Sequence, residues 1–239
     1  MGLFDLIGNK RNVAATRSAL DAARNPGADD GGAVTGLIVR LMAIGIDGRG
    51  PFDSATKVAA DALAKRGDVE GAVDEVIGAH LRLAAGAGFA TSIGGFVTMP
   101  VAIPANVFAF YTLATRMVAA TASLRGYDLT QPEIRTAVLL TFVGSNANDL
   151  LAKAGVSTGG GRLASLALRR LPPSAVIMIQ KGIGFRLLKG VGTKALSRFG
   201  KAVPVLGGAV GAGVDFSMMR TIAKSARTEF PPASRLDAR

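Results

Sequence analysis

LAAGAGFATSIGGFVTMPVAIPANVFAFYTLAT, residues 83–115, contains no Asp, Glu, Lys, Arg or His. These 33 residues lie in a chain of 239 that carries 28 basic and 17 acidic side chains. A membrane span or a buried core helix would each account for the missing charge. Gly94 and Gly95 weaken a helix, and Pro100 and Pro104 each lack an N–H and crowd the preceding turn. The spacing therefore predicts a break rather than one continuous rod. A second helix then starts at or just after Pro104, because proline is tolerated in a first turn. It runs through Asn106, Phe110, Leu113 and Met117 to about Leu124. Residues 83–124 read as a hairpin of two helices, each of about 16–20 residues and about 24–30 Å long. Three settings suit that length: a buried soluble core, an element dipping into one leaflet, or a marginal span. Arg116 weighs against a full span, since its charge would cost about 2.5–3.5 kcal/mol at mid-bilayer.

Small residues recur across the hairpin. Gly86, Ala90 and Gly94 are four apart, as are Ala84, Gly88 and Ser92. Such rows make a smooth helix face on which another helix can pack closely. VPVLGGAVGAGVDF, 203–216, repeats the pattern with Gly207 and Gly211, and that helix continues to Phe230-Pro231-Pro232. The expected packing residues are Gly86, Gly88, Gly94, Gly95, Pro100, Pro104, Gly207 and Gly211.

Outward from this stretch, helical spacing dominates and strand signals are weak. Helices are expected over 2–24, 33–44 and about 54–65, separated by NPGADDGG and GIDGRGP. Asp53 or Ser54 is the N-cap of the third, and Gly67 lies past its end. Val69, Ala72, Val73, Val76, Ile77 and His80 form one apolar stripe. His80 on that stripe is expected to be a packed histidine with one hydrogen bond. In GYDLTQPE, Thr130 reads as an N-cap, with Pro132 in the first turn and Glu133 at capping-box spacing. RLASLALRRL, 162–171, reads as a short basic helix containing Arg169 and Arg170. KGIGFRLLKGVGTKALSRFGK, 181–201, holds six basic residues and no acid. Lys181, Arg186 and Lys189 share a side opposite Ile183, Leu187 and Val191, while Lys194, Arg198 and Lys201 group on a rotated side. Two short amphipathic pieces joined by a pivot at Gly190 and Gly192 are expected. The fold class is all-α: a compact multi-helix bundle built around the Gly/Ala-rich hairpin. Residues 1–66 form an N-terminal helical extension, 67–232 the main helical domain and 233–239 a polar tail.

Charge is unevenly distributed. Residues 1–152 carry 13 basic and 14 acidic side chains, and residues 153–239 carry 15 and 3. The net charge of +11 therefore comes from the C-terminal third, which points to a polyanionic neighbour. Arg169, Arg170, Lys181, Arg186, Lys189, Lys194, Arg198 and Lys201 are the candidate anion- or membrane-contacting residues. MGLFDLIGNKR lacks the basic n-region of an export signal, and Leu6 stands where myristoylation needs Ser or Thr. Leu3, Phe4, Leu6 and Ile7 form a small apolar toe.

Catalytic and metal chemistry find little footing. With no cysteine and one histidine, thiol nucleophiles, zinc ribbons and serine triads are excluded or disfavoured. GVGTKA, 190–195, matches a dinucleotide fingerprint on paper but follows no strand. Asp149 beside Asn146 and Asn148 reads as a helix C-terminus with polar turn residues. No metal or cofactor is expected.

Two segments, GFATSIGGFVTMPVAIPANVFAFYTLATRMVAATASLRGYDLTQPE and VPVLGGAVGAGVDFSMMRTIAKSARTEF, resemble the EcsC family over about residues 78–230. The shared features are the glycine-rich helix, the paired prolines, the RGYDLTQPE junction and the later glycine block. Ala102 stands where the family often has Asp, and Asp215 where it has Asn. The resemblance implies association with membranes and no catalytic residue.

The expected function is a non-enzymatic, membrane-associated helical protein. It would use the apolar hairpin and the basic C-terminal region against anionic lipid at the cytoplasmic face of the membrane. Alternatives are a soluble scaffold or adaptor for an acidic protein and a pore-forming effector. Specific nucleic-acid recognition is disfavoured, because aromatic stacking residues and a reading module are lacking. An oligomer is compatible with each.

Overall fold

The computed structural model describes residues 9–24, 31–49, 52–92, 95–143, 147–156, 163, 171–198 and 204–233. Among them there are nine α-helices and no strand. They are α1 (Lys10–Arg24), α2 (Gly31–Gly45), α3 (Ala55–Arg66), α4 (Val69–Ser92), α5 (Gly95–Leu124), α6 (Pro132–Leu140), α7 (Ala147–Lys153), α8 (Pro173–Arg198) and α9 (Pro204–Glu229). The all-α bundle expected from the periodicity is the fold.

Local chemistry sets several boundaries. The Asn9 side chain accepts from the N–H groups of Arg11 and Asn12 and so caps α1. Ser54 caps α3 by accepting from Lys57 N, and Gly67 ends it in the left-handed region at φ 79°. Asp68 accepts from Gly71 N at 2.7 Å, at the start of α4. At α6 the expected cap is displaced: Gln131 holds the N-cap position without a side-chain bond, and Pro132 follows. Thr130 is instead engaged by Asp128, and Glu133 accepts from Leu171 N at 3.1 Å. No capping box forms, because each side chain finds a partner elsewhere.

The hairpin departs from expectation in its proportions. The first helix is described to Ser92 and α5 from Gly95, and α5 is helical through both Pro100 and Pro104. Each proline removes one i−4 hydrogen bond at a cost of about 3 kcal/mol in an isolated helix. Burial offsets this: α5 packs on α1, α2, α3, α4, α6 and α9. Pro104–Leu124 is apolar and long enough to span a bilayer, yet 89% of its apolar 18-residue stretch is buried by the rest of the chain. Its threonines are made compatible with a core by bonding to their own helix, as Thr115 does to the Tyr111 carbonyl and Thr121 to that of Met117.

Arg116 is resolved in the same way. It is buried and donates to the Ile44 carbonyl near the C-terminus of α2 at 3.1 Å. Its guanidinium lies 4.9 Å from the centroid of the Phe52 ring. A cation at a helix C-terminus and over an aromatic face is favourable on both counts. The charge that weighed against a membrane span is thus a tie between α5 and the segment around residues 44–52.

α8 also differs from expectation. It is helical from Pro173 to Arg198 through Gly190 and Gly192, so no pivot divides it. Its contact glycines are earlier ones. A Cβ on Gly184 would overlap Val34 of α2, and one on Gly182 would come within 2.7 Å of Leu150 of α7. Asp149 falls in the first turn of α7, not at a C-terminus.

Candidate functional site

Three helices define a unit with two unlike ends. Near one end, Arg227 of α9 forms ion pairs with Asp74 and Glu70 of α4. Arg125, just past α5, is buried and donates to the carbonyls of Arg227 and Phe230 and to both oxygens of Glu70. Gly126 turns the chain at φ 90°, and Tyr127 donates to the Pro231 carbonyl at 2.7 Å. Arg125-Gly126-Tyr127 is therefore a clamp on the C-terminus of α9. At the opposite end, Gly88 of α4 meets α9. A Cβ there would lie 2.6 Å from Gly211 O and 2.7 Å from Asp215 Oδ2. Asn106 of α5 donates to Asp215 Oδ2 at 3.0 Å. These pairings make α4 antiparallel to both α5 and α9.

The end formed by the last turns of α4 and the first turns of α5 and α9 carries no charge. Leu83–Thr115 and 202–214 contain no ionisable side chain apart from Tyr111. Phe89 is 47% exposed and Val210 54% exposed there, with Leu83, Phe216 and Met218 also exposed on α4 and α9. From Leu83 to Ser92, and from Pro204 to Val214, each helix extends about 15 Å at 1.5 Å per residue. That is about one leaflet of a bilayer whose hydrocarbon is about 30 Å thick. Arg82 and Arg220, both exposed, lie behind it along their helices.

Asp215 is the first charge met along α9. It is buried against α4 and α5, and that burial pushes its pKa up to about 6, opposed by the Asn106 hydrogen bond. Tyr111 of α5 is also buried, which raises its pKa, with the nearby Asp215 carboxylate adding to the rise. His80 is buried with Nδ1 2.8 Å from the Val76 carbonyl. Burial pushes its pKa down to about 4, so it is neutral at physiological pH. It is a packed histidine with one hydrogen bond, as its stripe implied.

The expected packing glycines divide. Gly88 and Gly211 are buried at the α4–α9 contact, and Pro104 is buried in α5. Gly86 is exposed, so the row in contact runs through Ala84 and Gly88, and Gly86 does no packing. Gly95 opens α5, Pro100 lies within it and Gly207 within α9. Gly94 lies outside the described residues.

The expected cations follow α8. Lys181 is exposed, between the exposed Ile177 and Met178 on the helix wheel. Ile183 and Leu187 are buried on the other side, as the wheel predicted. Arg186 is half-buried and pairs with Asp149 at 3.9 Å. Lys189, Lys194 and Arg198 lie on the last turns of α8. Arg169, Arg170 and Lys201 lie outside the described residues, as does the apolar toe. α8 packs on α1, α2, α6 and α7. Its C-terminus is joined to Pro204, the first residue of α9, by residues 199–203. That link spans at most about 20 Å, so the cationic end of α8 is tethered beside the charge-free end.

Among the described residues, no group of three or more acidic or histidine side chains is arranged to hold a metal ion. No family model matches the chain, and neither a curated protein nor a solved structure matches it.

Proposed function

We propose that the protein is a non-enzymatic, membrane-associated helical protein that works at an anionic membrane surface on the cytoplasmic face. The observation that carries this is the charge-free end of α4, α5 and α9, with Phe89 and Val210 exposed, tethered to the cationic end of α8. An apolar element of about one leaflet's depth and a basic cluster are the two weak signals that together give stable peripheral anchoring. Each cation in contact with anionic lipid contributes about 1 kcal/mol. The apolar contact is made by this end and not by Pro104–Leu124, whose surface is taken up by neighbouring helices. Membership of an EcsC-like family belongs to the same proposal. Its two resembling segments contribute α5 and α9 and the clamp that joins them.

Flotation tests the reading. The purified protein should rise with vesicles containing anionic lipid. Replacing Lys181, Arg186, Lys189, Lys194 and Arg198 together with Gln should weaken this several-fold. Equal binding to neutral vesicles at high salt would remove the electrostatic part, and failure to float with any vesicle would remove the whole. Dye release from the same vesicles separates a pore from surface attachment. The burial of Pro104–Leu124 also favours a second reading, a soluble adaptor whose cations meet an acidic protein. A monodisperse, detergent-free preparation that ignores vesicles would support it.

A further inference from the structure

We propose that Asp215 is a protonation gate on the charge-free end: the neutral carboxyl lets this end enter lipid, and the carboxylate keeps it out. This rests on the membrane reading above and adds its regulation. The geometry carries it. Asp215 is the one acidic residue between Lys201 and Glu229, and it sits where α4, α5 and α9 meet, about 15 Å along α9 from its N-terminus. It is 6% exposed. α4 offers it Gly88 and no charged group, and α5 offers it the Asn106 amide and the neutral Tyr111. On α9 itself Arg220 and Lys224 are exposed to solvent. Among the described residues no cation pairs with this carboxylate, and hydrocarbon would raise its cost further. Protonation removes the charge without moving a helix, and the carboxyl keeps an oxygen with which to accept from Asn106. Burial has already brought the titration into the physiological range, at about 6. His80 does not compete for the role, since it is already neutral above about 4.

The absence of cysteine makes a clean test available. Phe89→Cys carries an environment-sensitive fluorophore, and quenching by acyl-chain spin-labelled lipid reports insertion into vesicles of phosphatidylglycerol and phosphatidylcholine. Quenching should rise at least five-fold as pH falls from 8 to 5, with a midpoint near 6. With Asp215→Asn added, quenching at pH 8 should match that of the parent at pH 5. Flotation and quenching that ignore pH overturn the gate and leave membrane association standing. A pH response retained in the Asn variant also overturns it. No flotation at any pH overturns both. Circular dichroism of each variant at both pH values checks folding, and the parent's own pH profile judges the gate should the Asn variant misfold.

Discussion

At one end of the α4–α5–α9 unit, Arg125 and Arg227 reach across helices to two carboxylates and two backbone carbonyls. At the other, Gly88 lies against the Gly211 backbone, and an amide–carboxylate contact, Asn106 to Asp215, joins α5 to α9. The first end is held by directional bonds that need charge. The second is held by close approach of backbones that need its absence. The same three helices thus combine a fastened end with one that exposes apolar side chains, Phe89 and Val210. The difference lies in side-chain type and not in helix geometry, since both ends are regular α-helix.

Breaking the fastened end should have the largest effect. Arg125→Gln leaves buried carbonyls unpaired and should cost about 3–5 kcal/mol, read as a lower urea midpoint at an unchanged m-value. Asp215 should come next, through pH. Its folded pKa, about 6, lies above the ordinary 3.8, so the native state binds more protons than the unfolded chain between those values. Stability should therefore fall as pH rises from about 4 to about 6 and then level off, by roughly 3 kcal/mol in all. Asp215→Asn should abolish that slope and leave the protein more stable than the parent at pH 8. Gly88→Val should cost about 1–3 kcal/mol, because its side chain meets Gly211 O and Asp215 and a backbone cannot step aside. The smallest effect sharpens the contrast. Gly86→Ala, two residues away on the exposed face, should stabilise α4 by about 0.5–1 kcal/mol in thermal melts. Should Gly86→Ala destabilise as much as Gly88→Val, the packing face has been misassigned.

Much of this was legible in the residues. Ser54 and Gly67 bracket α3 as their capping chemistry requires, and the stripe from Val69 to His80 is buried as drawn, except for Val69 at its first turn. Extending that stripe by its own spacing passes through Ala84 and Gly88 and misses Gly86, a signal that separates two rows otherwise alike. Pro100, Pro104, Gly190 and Gly192 read as breaks because local propensity is all a sequence displays. Packing from six neighbouring helices keeps α5 whole, and such non-local contacts cannot be seen from the residues that benefit. Arg125 and Tyr127 gave a hint through their turn at Gly126, but their partners Arg227, Phe230 and Pro231 are about a hundred residues away. Asp215 was visible as a lone acid in an uncharged block. That Asn106 would face it was not.

The five residues between α8 and α9 have a consequence for how tightly a surface is held. If, as proposed, the cations of α8 rest on lipid headgroups, the neighbouring apolar end would be confined to a small volume above the same patch. Its effective local concentration is then on the order of millimolar, whatever the amount of protein in solution. On the proposed membrane reading, two contacts each too weak to persist alone would become one long-lived attachment, and loosening either would be enough to release the molecule.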